Sequence, residues 1–173
     1  MEVQKTDLEN VLVIEPDRFE DFRGCYVETY NEKLYNHNGI KVKFVQDDIS
    51  ISSKHVLRGI HGDMETWKLI SCLYGRFYFI VVNCDQDSPN FGKWLSFILS
   101  DSNRLQVLVP PKHGNAHLVL SDVTVFHYKQ STYYNPKGQF TYLWNDPRFN
   151  IWWPIKDPLL SRRDQEGQTV HKQ

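Results

Sequence analysis

Arg58, His61 and Lys68 lie in one short stretch, carried by the segments VLRGIHGD and WKLIS. A histidine takes up a proton near neutral pH, while an arginine and a lysine hold an anionic ligand or the charge that develops when a C–H proton departs. The cluster points to carbanion chemistry. The segment around it reads as a strand, whose period of two puts Arg58 and Ile60 on one face and Leu57, Gly59 and His61 on the other. A regular strand separates the arginine from the histidine, so Gly59 has to supply a bulge or twist if both serve one cavity. Taken alone, the same residues also read as a surface arginine and a core histidine.

Two other segments offer partners for that chemistry. TVFHYKQSTYYNP alternates so that Phe126, Tyr128 and Gln130 face one way and His127, Lys129 and Ser131 the other. A buried tyrosine hydroxyl beside a cation is a candidate proton donor, although tyrosines in a sheet interior are also ordinary packing. LLSRRDQ contains Asp164, which is either a solvated loop charge or the carboxylate that orients an imidazole. In VPPKHGNAHLVLS, His113 and His117 stand at i and i+4, a spacing that invites a metal. A barrel-mouth iron or manganese site usually takes three or four ligands with a paired His-x-His, whereas His61 is followed by Gly62 and Asp63, so no metal is expected.

The elements that position these residues are short β-rich runs separated by turn signals: VLVIEP, CYVETY, VKFVQDDISIS, KLISCLYG, RFYFIVVNC, WLSFILS, LQVLVPP, HLVLS, TVFHYKQS and FTYLWN. Their even spacing predicts an all-β fold, a sandwich or barrel of the jelly-roll kind with a few short helices. Clusters of Gly, Pro and Asn at 87–92, 110–114 and 135–138 reverse the strands. NEKLYNHNG, with Asn at its start and Gly at its end, predicts a short helix, and DSNRLQ no more than a turn. The aromatic cluster Trp144, Trp152 and Trp153 is expected to pack the closing segment against the sheet.

Length and composition bound the possibilities. The 173 residues make a single domain, with a core at 11–164 and a peripheral tail at 165–173. Three cysteines without CxxC spacing indicate reduced thiols and no disulfide framework. The N-terminus has no basic, then apolar, leader, and no apolar run is long enough to cross a membrane, so a cytoplasmic protein is expected. A formal net charge of −1 with both signs scattered argues against nucleic-acid or membrane surfaces.

Together these segments resemble the dTDP-4-dehydrorhamnose 3,5-epimerases and related nucleotide-sugar enzymes. The resemblance runs in order over residues 11–164, through FEDFRGCYVETYN, FVQDDISIS, VLRGIHG, WKLIS, SPNFGKW, LSDSNRLQVLVPP, FHYKQSTYYNP, LWNDPRFNIWWP and LLSRRD. It implies a cupin-type jelly roll without metal or other cofactor. It also implies His61 as the base beside a C4 ketone, Asp164 as its orienting carboxylate, Tyr128 as the acid on the opposite sugar face and Lys68 as the stabiliser of the enolate oxygen. By the same resemblance Arg23, Glu28, Gln46, Arg58 and Arg163 hold the ligand, the arginines at the diphosphate, and Tyr134 stacks on the nucleotide base. The family is generally a homodimer whose N-terminal strands pair with the partner's sheet, so Arg23 and Glu28 are expected to serve the neighbouring site.

Departures from the family pattern concentrate on ligand-facing positions. Asp48 replaces the Asn of VQDN, Asn115 replaces the His of GFAHGF with His117 two residues on, and Gln139 stands where Glu is common. HGD replaces HFQ after the base, which predicts extra room beside the sugar. The segments GIHGD, WKLISCLYGRFYF, VPPKHGNAHLVLS and HYKQSTYYNP resemble the branch that acts on GDP-4-keto-heptoses in bacterial capsule synthesis. A GDP-linked 4-keto-heptose is therefore the expected substrate, with dTDP-4-keto-6-deoxyglucose as the alternative. An epimerase restricted to C3, a non-catalytic sugar-nucleotide binder and a metal-dependent oxygenase are the competing readings.

Overall fold

The computed structural model describes residues 1–167. Within them the chain forms strands β1 (Glu2–Lys5), β2 (Leu12–Glu15), β3 (Arg18–Asp21) and β4 (Gly24–Val27), then helix α1 (Glu32–His37). Strands β5 (Gln46–Ser53), β6 (Leu57–Gly62), β7 (Lys68–Tyr74), β8 (Arg76–Asn83) and β9 (Trp94–Ser100) follow. The last strands are β10 (Gln106–Val109), β11 (His113–Val119), β12 (Val123–Gln130) and the two-residue β13 (Phe140–Thr141), before helix α2 (Arg162–Glu166). A six-stranded sheet in the order β1-β2-β10-β7-β12-β5 faces a five-stranded sheet in the order β13-β6-β11-β8-β9, and β3-β4 form a separate hairpin. The all-β jelly roll expected from the sequence is the fold observed.

Three apolar clusters hold the sheets together. Phe77, Phe79 and Val81 of β8 meet Ile70 of β7, Val107 of β10 and Phe126 of β12 between the sheets. On the other face of β8, Tyr78, Ile80 and Val82 lie under the closing segment with Tyr142, Phe149 and Trp153. The continuous apolar run RFYFIVVN is thereby explained, since a strand covered on both faces has no polar side to show. Tyr35 of α1 packs on Leu69 and Leu108 across the outside of the six-stranded sheet. Each large side chain buried in this way contributes about 1.5–3 kcal/mol. Trp153 donates to the Trp144 carbonyl at 2.9 Å, so these two indoles pack as expected, while Trp152 lies exposed and edge-on to Tyr78.

Helix α1 starts where Asn31 accepts from the Leu34 amide, and it ends before Gly39 at φ +86°. Some expectations are corrected. FTYLWN keeps only two strand residues before it turns at Asp146, and β5 begins at Gln46 rather than in VKFV. β1, β3 and α2 carry too little periodicity to be read from sequence. Of the expected peripheral tail, Gln165 and Glu166 form the exposed end of α2 and Gly167 caps it, while 168–173 lies outside the described residues.

The strand β6 solves the alternation problem. Its pairing with β11 runs Asn115↔His61 and then His117↔Arg58, so Gly59 and Ile60 together oppose Ala116 alone. This bulge puts Arg58 and His61 on the same side. Gly59 has φ +120°, and a Cβ there would lie 2.5 Å from the Asn115 carbonyl oxygen, so only glycine fits.

Candidate active site

Between the sheets opens a cavity of about 390 Å3. The five-stranded sheet contributes Arg58 and His61 from β6 and Asn115 and His117 from β11. The six-stranded sheet contributes Lys68 from β7, Gln46, Asp48 and Ser50 from β5, and Phe126, Tyr128 and Gln130 from β12. Tyr134, Gln139 and Arg163 complete the wall. As the alternation of β12 predicts, His127 and Lys129 turn outward, where both pair with Asp47. Ser50 was missed, yet the period of two from Gln46 and Asp48 would have found it.

His61 Nε2 lies 2.6 Å from Asp164 Oδ1. That carboxylate is buried, receives the Ser161 hydroxyl at 2.7 Å on Oδ2, and has the Gly59 amide at 3.4 Å. Burial pushes the Asp164 carboxyl up, but its bond and charge interaction with His61, with Ser161 and Gly59 behind them, brings it below the usual aspartate range. An ionised Asp164 accepts from Nε2–H, which leaves the Nδ1 lone pair as the basic atom of His61. Ser161 caps α2, so the helix exists to hold this carboxylate in place.

Across the cavity, burial and the neighbouring Asp48 hold the Tyr128 hydroxyl above its ordinary pKa, so it stays protonated and able to donate. His61 and Tyr128 thus come from opposite sheets. Lys68 is buried, and burial lowers its pKa while Asp63 counteracts the drop. Arg58 is held by Ser52 Oγ at 3.0 Å and Arg163 by Thr141 Oγ1 at 2.7 Å, each through Nε, which leaves the outer guanidinium nitrogens for a ligand.

A hydrogen-bonded relay runs from the mouth inward. The Tyr134 amide donates to Gln46 Oε1 at 2.8 Å, and Gln46 and Gln130 both donate to Asp48 Oδ2, at 2.8 and 2.9 Å. Asn115 donates to the His61 carbonyl at 3.1 Å and so ties down the backbone at His61. His117 lies deeper, stacked on Phe126 at 4.1 Å, and burial pushes its pKa down to about 3. It is a neutral imidazole and no substitute for a protonated histidine at position 115.

Two departures prove to be partners. Gln139 Nε2 donates to Asp63 Oδ2 at 2.8 Å, while the other Asp63 oxygen takes the Glu65 and Thr66 amides. The extra room expected at Gly62 is not present, because a Cβ there would meet the Phe140 ring at 2.4 Å and the His113 carbonyl at 2.5 Å. Phe140 fills the space. Arg23 and Glu28 do not reach this cavity: Arg23 is exposed in the β3-β4 turn and paired with Asp21, and Glu28 is exposed beyond β4. Among the described residues, no three His, Cys, Asp or Glu side chains converge as metal ligands, and no helix is long and apolar enough to cross a membrane.

The family model for dTDP-4-dehydrorhamnose 3,5-epimerase matches residues 5–172. A dTDP-4-dehydrorhamnose 3,5-epimerase from Shigella flexneri is 40% identical over 172 residues, covering 97% of this chain and 95% of its own. The structure of the Bacillus anthracis enzyme of that name, with TDP and PPi bound, superposes with TM-score 0.93 at 34% identity over 96% of this chain and 98% of its own. A Legionella pneumophila dTDP-6-deoxy-D-glucose-3,5-epimerase in complex with dTDP-4-keto-L-rhamnose gives TM-score 0.91 at 35% identity over 96% and 90%. With the His61–Asp164 pair and Tyr128 at one cavity of the jelly roll, and these relatives over nearly its whole length, the chain belongs to the dTDP-4-dehydrorhamnose 3,5-epimerase family of nucleotide-sugar isomerases.

Proposed function

We propose that the protein epimerises a nucleotide-diphosphate 4-keto sugar at C3 and C5, with the facing placement of His61–Asp164 and Tyr128 as the observation that carries the reading. His61 Nδ1 removes the C–H proton beside the ketone, the electron pair moves into the carbonyl, and the Lys68 ammonium stabilises the resulting enolate oxygen. Tyr128 then delivers its O–H proton from the other face, which inverts the centre, and solvent restores both groups. The ketone itself makes the neighbouring C–H acidic, so the route calls on no cofactor. Arg58 and Arg163 hold the diphosphate, and Tyr134, half exposed at the mouth, stacks on the base.

The names of the relatives favour a dTDP-linked sugar, dTDP-4-keto-6-deoxyglucose. Asp48 favours a second reading, the GDP-linked 4-keto-heptose of capsule synthesis. Its Oδ1 has no hydrogen bond among the described residues and suits the adjacent N–H donors of guanine. A homodimer is part of the proposal: the β3-β4 hairpin joins neither large sheet and exposes Phe19, Phe22 and Tyr26, while β5 offers a free sheet edge with exposed Ile49 and Ile51. Pairing there carries Arg23 and Glu28 to the partner's cavity. The unpaired Cys25, Cys72 and Cys84 fit a reducing cytoplasm.

Deuterium incorporation at C3 and C5, read by NMR in D2O with both nucleotide sugars, tests the reading. Exchange is expected at both carbons, lost in His61→Asn, and biased to one carbon in Tyr128→Phe. Wild-type exchange in the His61 variant would remove it as the base.

A further inference from the structure

Asp47 and Asp48 are neighbours on β5 and face opposite ways. Asp47 lies on the outer surface of the six-stranded sheet, where His127 and Lys129 pair with it at 3.0 and 2.7 Å. Asp48 faces the cavity, and its side-chain hydrogen bonds come from the neutral amides of Gln46 and Gln130, both at Oδ2. No cation among the described residues forms an ion pair with it. Directly opposite Asp48 in the β5-β12 pairing stands Tyr128, and both side chains project into the cavity. Such cross-strand partners have Cβ atoms about 4.5–5.5 Å apart. Burial first, and then the charge of Asp48, hold the Tyr128 hydroxyl above its ordinary pKa, with Tyr134 adding to the rise and Arg58 opposing it. The other ionisable groups lining the cavity are His61, Lys68, His117 and Arg163.

A proton leaving Tyr128 creates a phenolate beside that carboxylate. The electron pair of the enolate forms the new C–H bond with the Tyr128 proton, the O–H bond breaks, and the negative charge passes to the phenolate until solvent reprotonates it. The charge that keeps the proton on Tyr128 at rest therefore opposes its departure during the reaction. We propose that Asp48 restrains proton delivery by Tyr128 and thereby limits the rate at which the sugar centre is inverted. It acts through Tyr128 and touches no reacting atom. The kinetic consequence rests on the epimerase reading above, whereas the pairing of Asp48 with Tyr128 stands without it.

The test is Asp48→Asn, whose side-chain oxygen can still accept from both glutamines. Tyr128 is titrated by 13C NMR of the full-length protein labelled at tyrosine Cζ, with Tyr128→Phe identifying its signal. Initial rates of inversion are measured in parallel, on whichever of the two nucleotide sugars the wild type turns over. In Asp48→Asn the Tyr128 pKa is expected to fall by about half a unit or more and kcat to rise about threefold, with Asp48→Glu returning both toward wild type. The gain in kcat is expected to vanish in the Tyr128→Phe background, because it needs the hydroxyl. An unmoved Tyr128 signal, a kcat that does not rise, or an effect confined to KM or persisting without the hydroxyl overturns the proposal. A wild type that turns over neither sugar instead sinks the epimerase reading, while the titration still decides whether Asp48 holds the Tyr128 proton.

Discussion

Replacing Asp164 with asparagine isolates the charge behind the base. The variant keeps the shape of the site, because the Ser161 hydroxyl can rotate to accept from an amide at Oδ2 while the amide oxygen still takes the His61 N–H. Lost is the attraction between carboxylate and imidazolium once His61 has taken the substrate proton. With Nε2 2.6 Å from Oδ1, the charge centres lie about 4 Å apart, which at an effective dielectric of about 20 is worth about 4 kcal/mol. The His61 side chain is 26% exposed, so solvent screening brings the figure to about 2–4 kcal/mol, or roughly 30- to 1,000-fold in rate. The assay is the initial rate of C–H exchange in D2O against substrate concentration. The loss is expected in kcat with KM little changed, since Asp164 lies behind the histidine and the imidazolium forms only as the reaction proceeds. A kcat within threefold of wild type, or a loss confined to KM, would refute the role given to the pair.

Lys68→Met is expected to lower kcat at least 100-fold yet raise the melting temperature at pH 7, because the fold holds a buried ammonium whose burial disfavours its charge. In the wild type, activity needs Lys68 protonated and its pKa is lowered, so the alkaline limb of the rate profile should fall below the usual lysine range and vanish from the residual activity of Lys68→Met. Gly59→Ala introduces a side chain at φ +120° against the Asn115 carbonyl; a loss of about 3 kcal/mol or more in chemical denaturation is expected. Phe19→Glu with Tyr26→Glu should convert a dimer to a monomer in sedimentation and remove Arg23 and Glu28 from the site; a wild-type monomer would end that assignment.

Much of this site was legible because strands expose their chemistry at a period of two. Tyr128 and Gln130 facing inward and His127 and Lys129 outward follow from β12 alone. The meeting of Arg58 with His61 required the bulge at Gly59, whose presence sequence permits and whose register it does not specify. Asp164 was harder, since it depends on a five-residue helix whose only local signal is Ser161 three positions earlier. The identification of residue roles came from the resemblance, not from periodicity. Gly62 shows the opposite failure: a missing side chain reads as empty space until Phe140, far along the chain, is seen to occupy it.

The bond between Asp63 and Gln139 constrains how this cavity can have evolved. The family pattern that the sequence resembles has glutamine and glutamate at these two positions, which implies an acid-to-amide pairing with its polarity reversed. Such an exchange cannot be made in one substitution. An ancestor passing through two carboxylates would set like charges against each other beside Lys68, whereas one passing through two amides would keep a hydrogen bond throughout. The second trajectory is the open one, and it makes the fitness effect of either position depend on the state of the other. Asp63→Gln alone leaves two amides and is expected to be tolerated, whereas Gln139→Glu alone sets two carboxylates together and is expected to lower the melting temperature at pH 7.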